Sequence, residues 1–163
     1  MPKHPKKFSC LFLLISLGLF IVVTLGCVKE DMTEGCIKEG KRYGIVKGLF
    51  QGRWYHYYER GLSLAEGHCW GNAEKDLREA LKQRDDGDRR WARTYGMHFI
   101  DYFPHRELGI VLFNQNRYAD AIRELEVSLN ATVTAKAEFY LDQGRKALIL
   151  SQTPDNRSSE ILK

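Results

Sequence analysis

The feature that most constrains the fold of this 163-residue chain is a helix–turn–helix pattern in residues 105–128. Two short segments with apolar residues every three or four positions flank a polar turn at residues 114–117. This spacing predicts two amphipathic helices joined by a tight turn. Gly109 and Ala121 are small, and we expect the two helix backbones to cross there because a larger side chain would push them apart.

The same pattern occurs 48 residues earlier, in residues 53–84, where it predicts a second pair of helices. Six positions match at this one offset: Gly61 with Gly109, Leu64 with Leu112, Trp70 with Tyr118, Ala73 with Ala121, Leu77 with Leu125, and Ala80 with Ser128. A common offset across six pairs indicates an internal repeat.

A further helix is predicted in residues 134–151, with Thr134 as its N-cap. Its Gly144 lies 35 residues after Gly109. We expect this helix to correspond to the first helix of a third unit and to cover the end of the helical stack. Residues 152–163 are polar and predict a flexible tail.

The pattern resembles the tetratricopeptide repeat, whose units are about 34 residues long. The resemblance covers roughly residues 53–151 and implies an all-α fold, a short α-solenoid of two helical hairpins plus a C-terminal capping helix. It assigns helix packing to Gly61, Ala73, Leu77, Ala80, Leu108, Gly109, Tyr118, Ala121, Leu125 and Gly144. The sequence departs from the family in Arg60, where Leu is usual, and in roughly 14 extra residues between the units.

The extra residues fall in residues 85–103. Aromatic residues recur there at intervals of four, which predicts an extension of the next helix or an extra turn packed on the stack. Pro104 predicts a helix start. The aromatic residues are Trp91, Tyr95, Phe99 and Phe103, and we expect them to be packed. Four basic residues, Arg84, Arg89, Arg90 and Arg93, are expected to form a solvated face.

The N-terminal residues 1–27 predict an export or membrane segment, because residues 8–27 carry no charge and follow three lysines. It could be a cleaved secretory signal, an uncleaved helix of roughly 20 apolar residues, or a lipoprotein signal. Residues 24–27 resemble a bacterial lipobox, although its Leu stands one place later than usual. The resemblance implies lipidation of Cys27 and a membrane-anchored protein of the bacterial cell envelope. All three interpretations place residue 28 onward outside the cytoplasm.

Residues 28–52 are rich in glycine and charge and predict a linker. Cys36 lies in this linker, and Cys69 lies in the turn between the first two predicted helices. The two cysteines could pair in an oxidising compartment. We expect two separate thiols, because the sequence does not indicate that they come within reach of each other.

The sequence predicts no catalytic activity, cofactor or metal site, since it lacks the GxSxG, HExxH, P-loop and GxGxxG motifs. His68 and Cys69 are adjacent, but neighbours in a turn point in different directions. The net charge of +4 is modest and does not favour nucleic-acid binding.

The first helices of stacked hairpins line a concave surface. By resemblance, the positions facing this groove are Tyr55, Tyr58, Leu62, Glu66, Arg106, Ile110, Phe113 and Asn114. Such a surface could accept an extended peptide or a helix of a partner protein; burial against neighbouring helices or the linker is the alternative. Two functions are predicted: an interaction module for a protein partner, or a structural subunit whose short stack is completed by self-association.

Overall fold

Five helices and two small antiparallel β-hairpins form residues 36–152, the part of the chain that the computed structural model describes. The predicted anchor with Cys27, the first part of the linker and the predicted tail from residue 153 lie outside the described residues. The strands are β1 (Cys36–Lys38), β2 (Lys41–Tyr43), β3 (Arg89–Tyr95) and β4 (His98–Tyr102). The helices are α1 (Trp54–Glu66), α2 (Trp70–Gln83), α3 (Pro104–Asn114), α4 (Tyr118–Ala131) and α5 (Ala135–Gln152).

The helices pack in chain order, with α1 against α2, α3 against α4, and α5 against α4. The interface between α2 and α3 joins the two helical pairs. The all-α prediction is therefore confirmed in its coarser form, since the fold is mostly helical, but the two small β-hairpins were not predicted. The helix start at Pro104 is confirmed, and Thr134 Oγ1 accepts the N–H of Ala137 at 3.3 Å as the cap of α5.

Small residues lie where paired helices approach each other. A Cβ atom added to Gly61 would lie 3.1 Å from Leu77 Cγ. At Gly109 the approach is closer, since an added Cβ would lie 2.7 Å from Leu125 Cγ. Around these crossings the core consists of fully buried residues from α2, α3 and α4: Ala73, Leu77, Ala80, Leu108, Val111, Leu112, Ala121 and Leu125.

The segment of residues 85–103, called the insertion below, forms the β3–β4 hairpin, so the predicted helix extension or extra turn there is wrong. Gly96, with φ of +50°, lies in its turn. A register shift follows Arg89, and Trp91 within it has φ of +59°, which is the left-handed region. The expected packing of all four aromatics is also wrong, because Trp91 and Tyr95 are exposed whereas Phe103 is buried.

The inner face of the β3–β4 hairpin packs on the helices through Ala92 and Tyr102, which are both fully buried. The Tyr102 hydroxyl donates a hydrogen bond to the Arg84 carbonyl at 2.8 Å, at the end of α2. Its ring lies edge-on to those of Trp54 and Tyr58 in α1. These contacts fix the hairpin beside α1.

Asp88, just before β3, is 2% exposed and joins three elements. Its carboxylate accepts the N–H groups of His105 and Arg106, each at 3.0 Å, at the start of α3. Its carbonyl accepts the Thr132 hydroxyl at 2.6 Å, at the end of α4. The first amides of a helix lack partners within the helix, so an acceptor here caps α3 from a distant part of the sequence.

Part of the predicted linker forms the β1–β2 hairpin, and Cys36 in β1 forms a disulfide with Cys69. Their Cα atoms are 6.4 Å apart, and the expectation of two separate thiols is wrong. The β1–β2 hairpin thereby packs on the turn between α1 and α2. Gly67 in that turn lies against the Tyr43 side chain, where a Cβ atom would not fit.

Candidate functional site

A cavity of about 730 Å³ lies beside α1, between the strap that precedes it and the β3–β4 hairpin. We use the term strap for residues 44–52, which run back along α1 from its C-terminal to its N-terminal end. The cavity is lined by strap residues Lys47, Gly48, Leu49 and Gln51, by α1 residues Tyr55, His56, Tyr58, Glu59 and Leu62, and by hairpin residues Thr94, Tyr95, His98, Ile100 and Asp101. Its volume is in the range of small-ligand and short-peptide sites.

Three of the predicted groove residues line this cavity: Tyr55, Tyr58 and Leu62. Tyr58 is 4% exposed, and its hydroxyl oxygen accepts the Phe103 N–H at 3.1 Å. Burial raises the pKa of Tyr58 far above its usual range, so the phenol stays protonated. Glu66 does not line the cavity; it is exposed and accepts a hydrogen bond from Lys41 Nζ at 2.8 Å.

The groove residues predicted on α3 lie elsewhere. Arg106 forms an ion pair with Glu107 and lies over the Phe103 ring. Ile110 is buried, and its main-chain carbonyl accepts a hydrogen bond from Asn114 Nδ2. The Phe113 ring contacts those of Tyr118 and Tyr140, on α4 and α5. Among the helices, the cavity is thus built on α1 and not on a surface shared between the two helical pairs.

The strap is held to α1 by main-chain amides that donate to side chains on one face of the helix. The N–H of Gly44 donates to Ser63 Oγ at 3.0 Å, and that of Lys47 donates to Glu59 Oε1 at 3.1 Å. Near the start of α1 the Gln51 N–H donates to His56 Nδ1 at 3.0 Å. These acceptors lie three and four residues apart, which places them along one side of α1.

Aromatic rings follow one another along the cavity wall. Tyr95 stacks on His98 with ring centroids 5.1 Å apart, and Tyr55 lies 6.0 Å from Tyr95. The His56 ring lies 4.4 Å from that of Tyr55 in an edge-on arrangement. Burial lowers the pKa of His56, more than the nearby Glu59 carboxylate raises it, so His56 is neutral at pH 7.

Ionisable side chains in the lining are Lys47, Glu59 and Asp101, besides the histidines and tyrosines. Lys47 and Asp101 are exposed and Glu59 is half-buried. The formal charge of this set is therefore −1 when both histidines are neutral. The cavity combines aromatic faces with two carboxylates.

The cysteine of the His68–Cys69 pair is no free nucleophile, because its sulfur is bonded to Cys36. Among residues 36–152, no three His, Cys, Asp or Glu side chains are grouped so that they could hold a metal ion. Nor does any helix in this range have the length and apolar character needed to cross a bilayer.

His105 has the most perturbed imidazole of the described chain, but it lies away from the cavity. Its Nδ1 is 2.7 Å from Glu124 Oε2, and its Nε2 is 3.1 Å from Asp85 Oδ1. Burial acts to lower the pKa of His105, but the two carboxylates together outweigh it and raise the pKa to about 9. A protonated imidazole that bridges α3, α4 and the start of the insertion stabilises the fold.

The sequence matches no protein-family model, and neither a curated protein nor a solved structure matches it.

Two parts of the cavity were not predicted from the sequence. The strap belongs to the predicted linker, and the hairpin residues Tyr95, His98 and Asp101 are not among the predicted groove residues. A signal for the hairpin is present in the sequence, since strand-favouring residues such as Tyr95 and Phe99 flank Gly96. For the strap, the apolar pair Leu49 and Phe50 is a weaker signal for docking on the helices, and the Phe50 ring contacts those of His56 and Tyr57 in α1.

Proposed function

We propose that this protein is a non-catalytic interaction module of the bacterial cell envelope, which binds a segment of a partner protein in the cavity beside α1. The observation that carries the proposal is the cavity of about 730 Å³, which exposes apolar and aromatic side chains next to a few polar groups. Such a mixture suits recognition of a peptide. The N-terminal segment, through a lipid on Cys27 or as a helix, would hold the module at a membrane.

We also propose that the two helical pairs are tetratricopeptide-like units and that α5 is the capping helix. In support, the paired helices cross at Gly61 and Gly109, which are 48 residues apart in the sequence. The β3–β4 hairpin accounts for the extra length between the two units. In this interpretation the hairpin turns part of a shallow helical groove into a cavity.

Photo-crosslinking in the intact envelope tests the proposed function. A photoreactive amino acid replaces Leu62 in the cavity or, as a matched control, Lys82, whose side chain is 77% exposed on α2. We expect a discrete adduct from position 62 that position 82 does not give, and we expect Tyr55→Ala to weaken it. Identical adducts from the two positions, or none from position 62, would contradict binding in the cavity.

Self-association is a second candidate, favoured by the apolar surface of α5. Phe139 and Leu150 are 58% and 74% exposed, and their spacing of eleven residues places them on the same side of the helix. Exposed apolar side chains that share one side of a helix are typical of association surfaces. Sedimentation of the full chain in detergent tests this candidate: a dimer that Phe139→Asp converts to a monomer supports it, and a monomer at all concentrations excludes it.

A further inference from the structure

We propose that the cavity beside α1 selects a cationic side chain, arginine or lysine, presented by the partner segment. This inference rests on the proposed function and specifies the chemistry of the ligand. It is carried by the aromatic rings and the carboxylates that line the same cavity.

The aromatic wall offers ring faces to a cation. Tyr95 is 62% exposed and stacks on His98, and Tyr55 lies 6.0 Å from Tyr95. Tyr58 lines the same cavity but is 4% exposed, so Tyr55 and Tyr95 form the part of the wall that a ligand can reach. The faces of tyrosine rings attract ammonium and guanidinium groups when these lie within about 6 Å. The wall thus suits a flat guanidinium or the end of a lysine side chain.

The carboxylates supply the opposite charge. Glu59 is half-buried, and one of its oxygens already accepts the Lys47 N–H. An ionised carboxylate can accept more than one hydrogen bond, so Glu59 keeps capacity for a ligand donor. Asp101 is exposed on the hairpin side of the cavity. Glu59 and Asp101 therefore border the cavity from two different elements.

Other ligand classes fit this lining less well. An anionic group would meet two carboxylates and one exposed lysine. A purely apolar segment would remove the Glu59 carboxylate from water and leave it with the Lys47 N–H but no counter-charge, which is costly. A cation on an apolar stem satisfies both features, because its stem can contact Leu62 and Ile100 while its head pairs with carboxylate.

The test compares two pentapeptides that differ in one side chain. The first is acetyl-Gly-Ser-Arg-Ser-Gly-amide, and the second carries citrulline, a neutral analogue of similar shape, in place of arginine. Their binding to the full chain in a neutral detergent is measured by calorimetry at low salt. We expect the arginine peptide to bind about fivefold more tightly or better. Equal binding of the two peptides, or no binding of the arginine peptide, would overturn the inference.

Single substitutions test whether the carboxylates of the cavity cause the preference for arginine. Glu59→Gln keeps an acceptor for the Lys47 N–H while removing the charge, and Asp101→Asn does the same on the hairpin; we expect each to weaken arginine-peptide binding about threefold to tenfold. Glu66→Gln is the matched control, since Glu66 is a carboxylate of α1 outside the cavity. An equal loss in the Glu66→Gln variant would also overturn the inference.

The peptide-binding experiment and the crosslinking experiment can fail independently of each other. A photo-crosslinked partner at position 62 combined with equal binding of both peptides would retain partner binding and reject cation selection. Absence of that crosslink would reject the proposed function itself.

Discussion

Arg60 in α1 and Asp76 in α2 form a buried bidentate ion pair, with Nε 2.6 Å from Oδ2 and Nη2 2.7 Å from Oδ1. Their side chains are 9% and 1% exposed. The positions 48 residues later hold Leu108 and Glu124, and Glu124 contacts His105 instead. Arg60, the departure from the family pattern, is thus explained by its partner on the adjacent helix.

We expect Arg60→Leu to destabilise the protein by about 3–5 kcal/mol, because it leaves the Asp76 carboxylate buried without a counter-charge. The double variant Arg60→Leu/Asp76→Ala removes the charge as well and should recover at least half of this loss. Urea unfolding of the full chain measures both values. If the double variant is no more stable than Arg60→Leu alone, the unpaired carboxylate is not the cause.

Three glycine-to-alanine substitutions should not all change the unfolding free energy in the same direction. At Gly109 the new Cβ would lie 2.7 Å from Leu125 Cγ and 3.2 Å from the Ala121 carbonyl oxygen, so we expect a loss of about 1–3 kcal/mol. At Gly144 the nearest atom, Ile122 Cγ1, is 3.4 Å away, and the better helix propensity of alanine should stabilise the protein by about 0.5–1 kcal/mol.

Gly61→Ala is the intermediate case, since its Cβ would lie 3.1 Å from a leucine side chain that can shift slightly. Thermal unfolding midpoints should therefore rank Gly144→Ala first, Gly61→Ala second and Gly109→Ala last. Any other order would contradict the helix crossings described above.

The disulfide between Cys36 and Cys69 closes a loop with a sequence separation of 33 residues. Removing a cross-link over a loop of this length costs about 3–4 kcal/mol in the chain-entropy model. We expect Cys36→Ser/Cys69→Ser, and reduction of the wild type, to lower the unfolding free energy by similar amounts. The double variant should not respond to reductant, which separates this disulfide from effects at Cys10 and Cys27.

Stability should depend on pH through His105. Its pKa is raised from 6.5 to about 9 in the folded protein, so the folded state holds the proton more tightly than the unfolded chain. The stabilisation, on the order of 3 kcal/mol, is complete below pH 6.5 and is lost as the pH rises through 9. In the His105→Gln variant we expect the unfolding free energy, measured from pH 6 to 10, no longer to show this pH dependence. His98→Gln, on the exposed hairpin, should retain it.

The helical elements were predictable because their determinants are local. Ala73 and Leu77 recur at helical spacing within α2, Pro104 can start a helix, and Thr134 can cap one. The hairpin was missed because Trp91, Tyr95 and Phe99 recur every four residues, which is also a helical interval. That spacing has no structural meaning in a hairpin with register shifts, where the left-handed conformation at Trp91 and the turn at Gly96 set the side-chain directions.

The cavity was only partly predictable, because contacts distant in sequence create it. The α1 side chains Tyr55, Tyr58 and Leu62 follow from the repeat resemblance. Their opposite walls depend on the strap and the hairpin, which are brought to α1 by the Cys36–Cys69 disulfide and by Tyr102. Helical periodicity does not indicate that the strap or the hairpin packs beside α1.

The position of Asp88 makes the irregular spacing between the two helical pairs difficult to reverse. A deletion in residues 85–103 that included Asp88 would remove the acceptor for the His105 and Arg106 amides. It would also remove the partner of the Thr132 hydroxyl. Loss of a helix cap alone costs about 0.5–2 kcal/mol. A chain shortened in this way would need a new acceptor for the first amides of α3 to recover that stability.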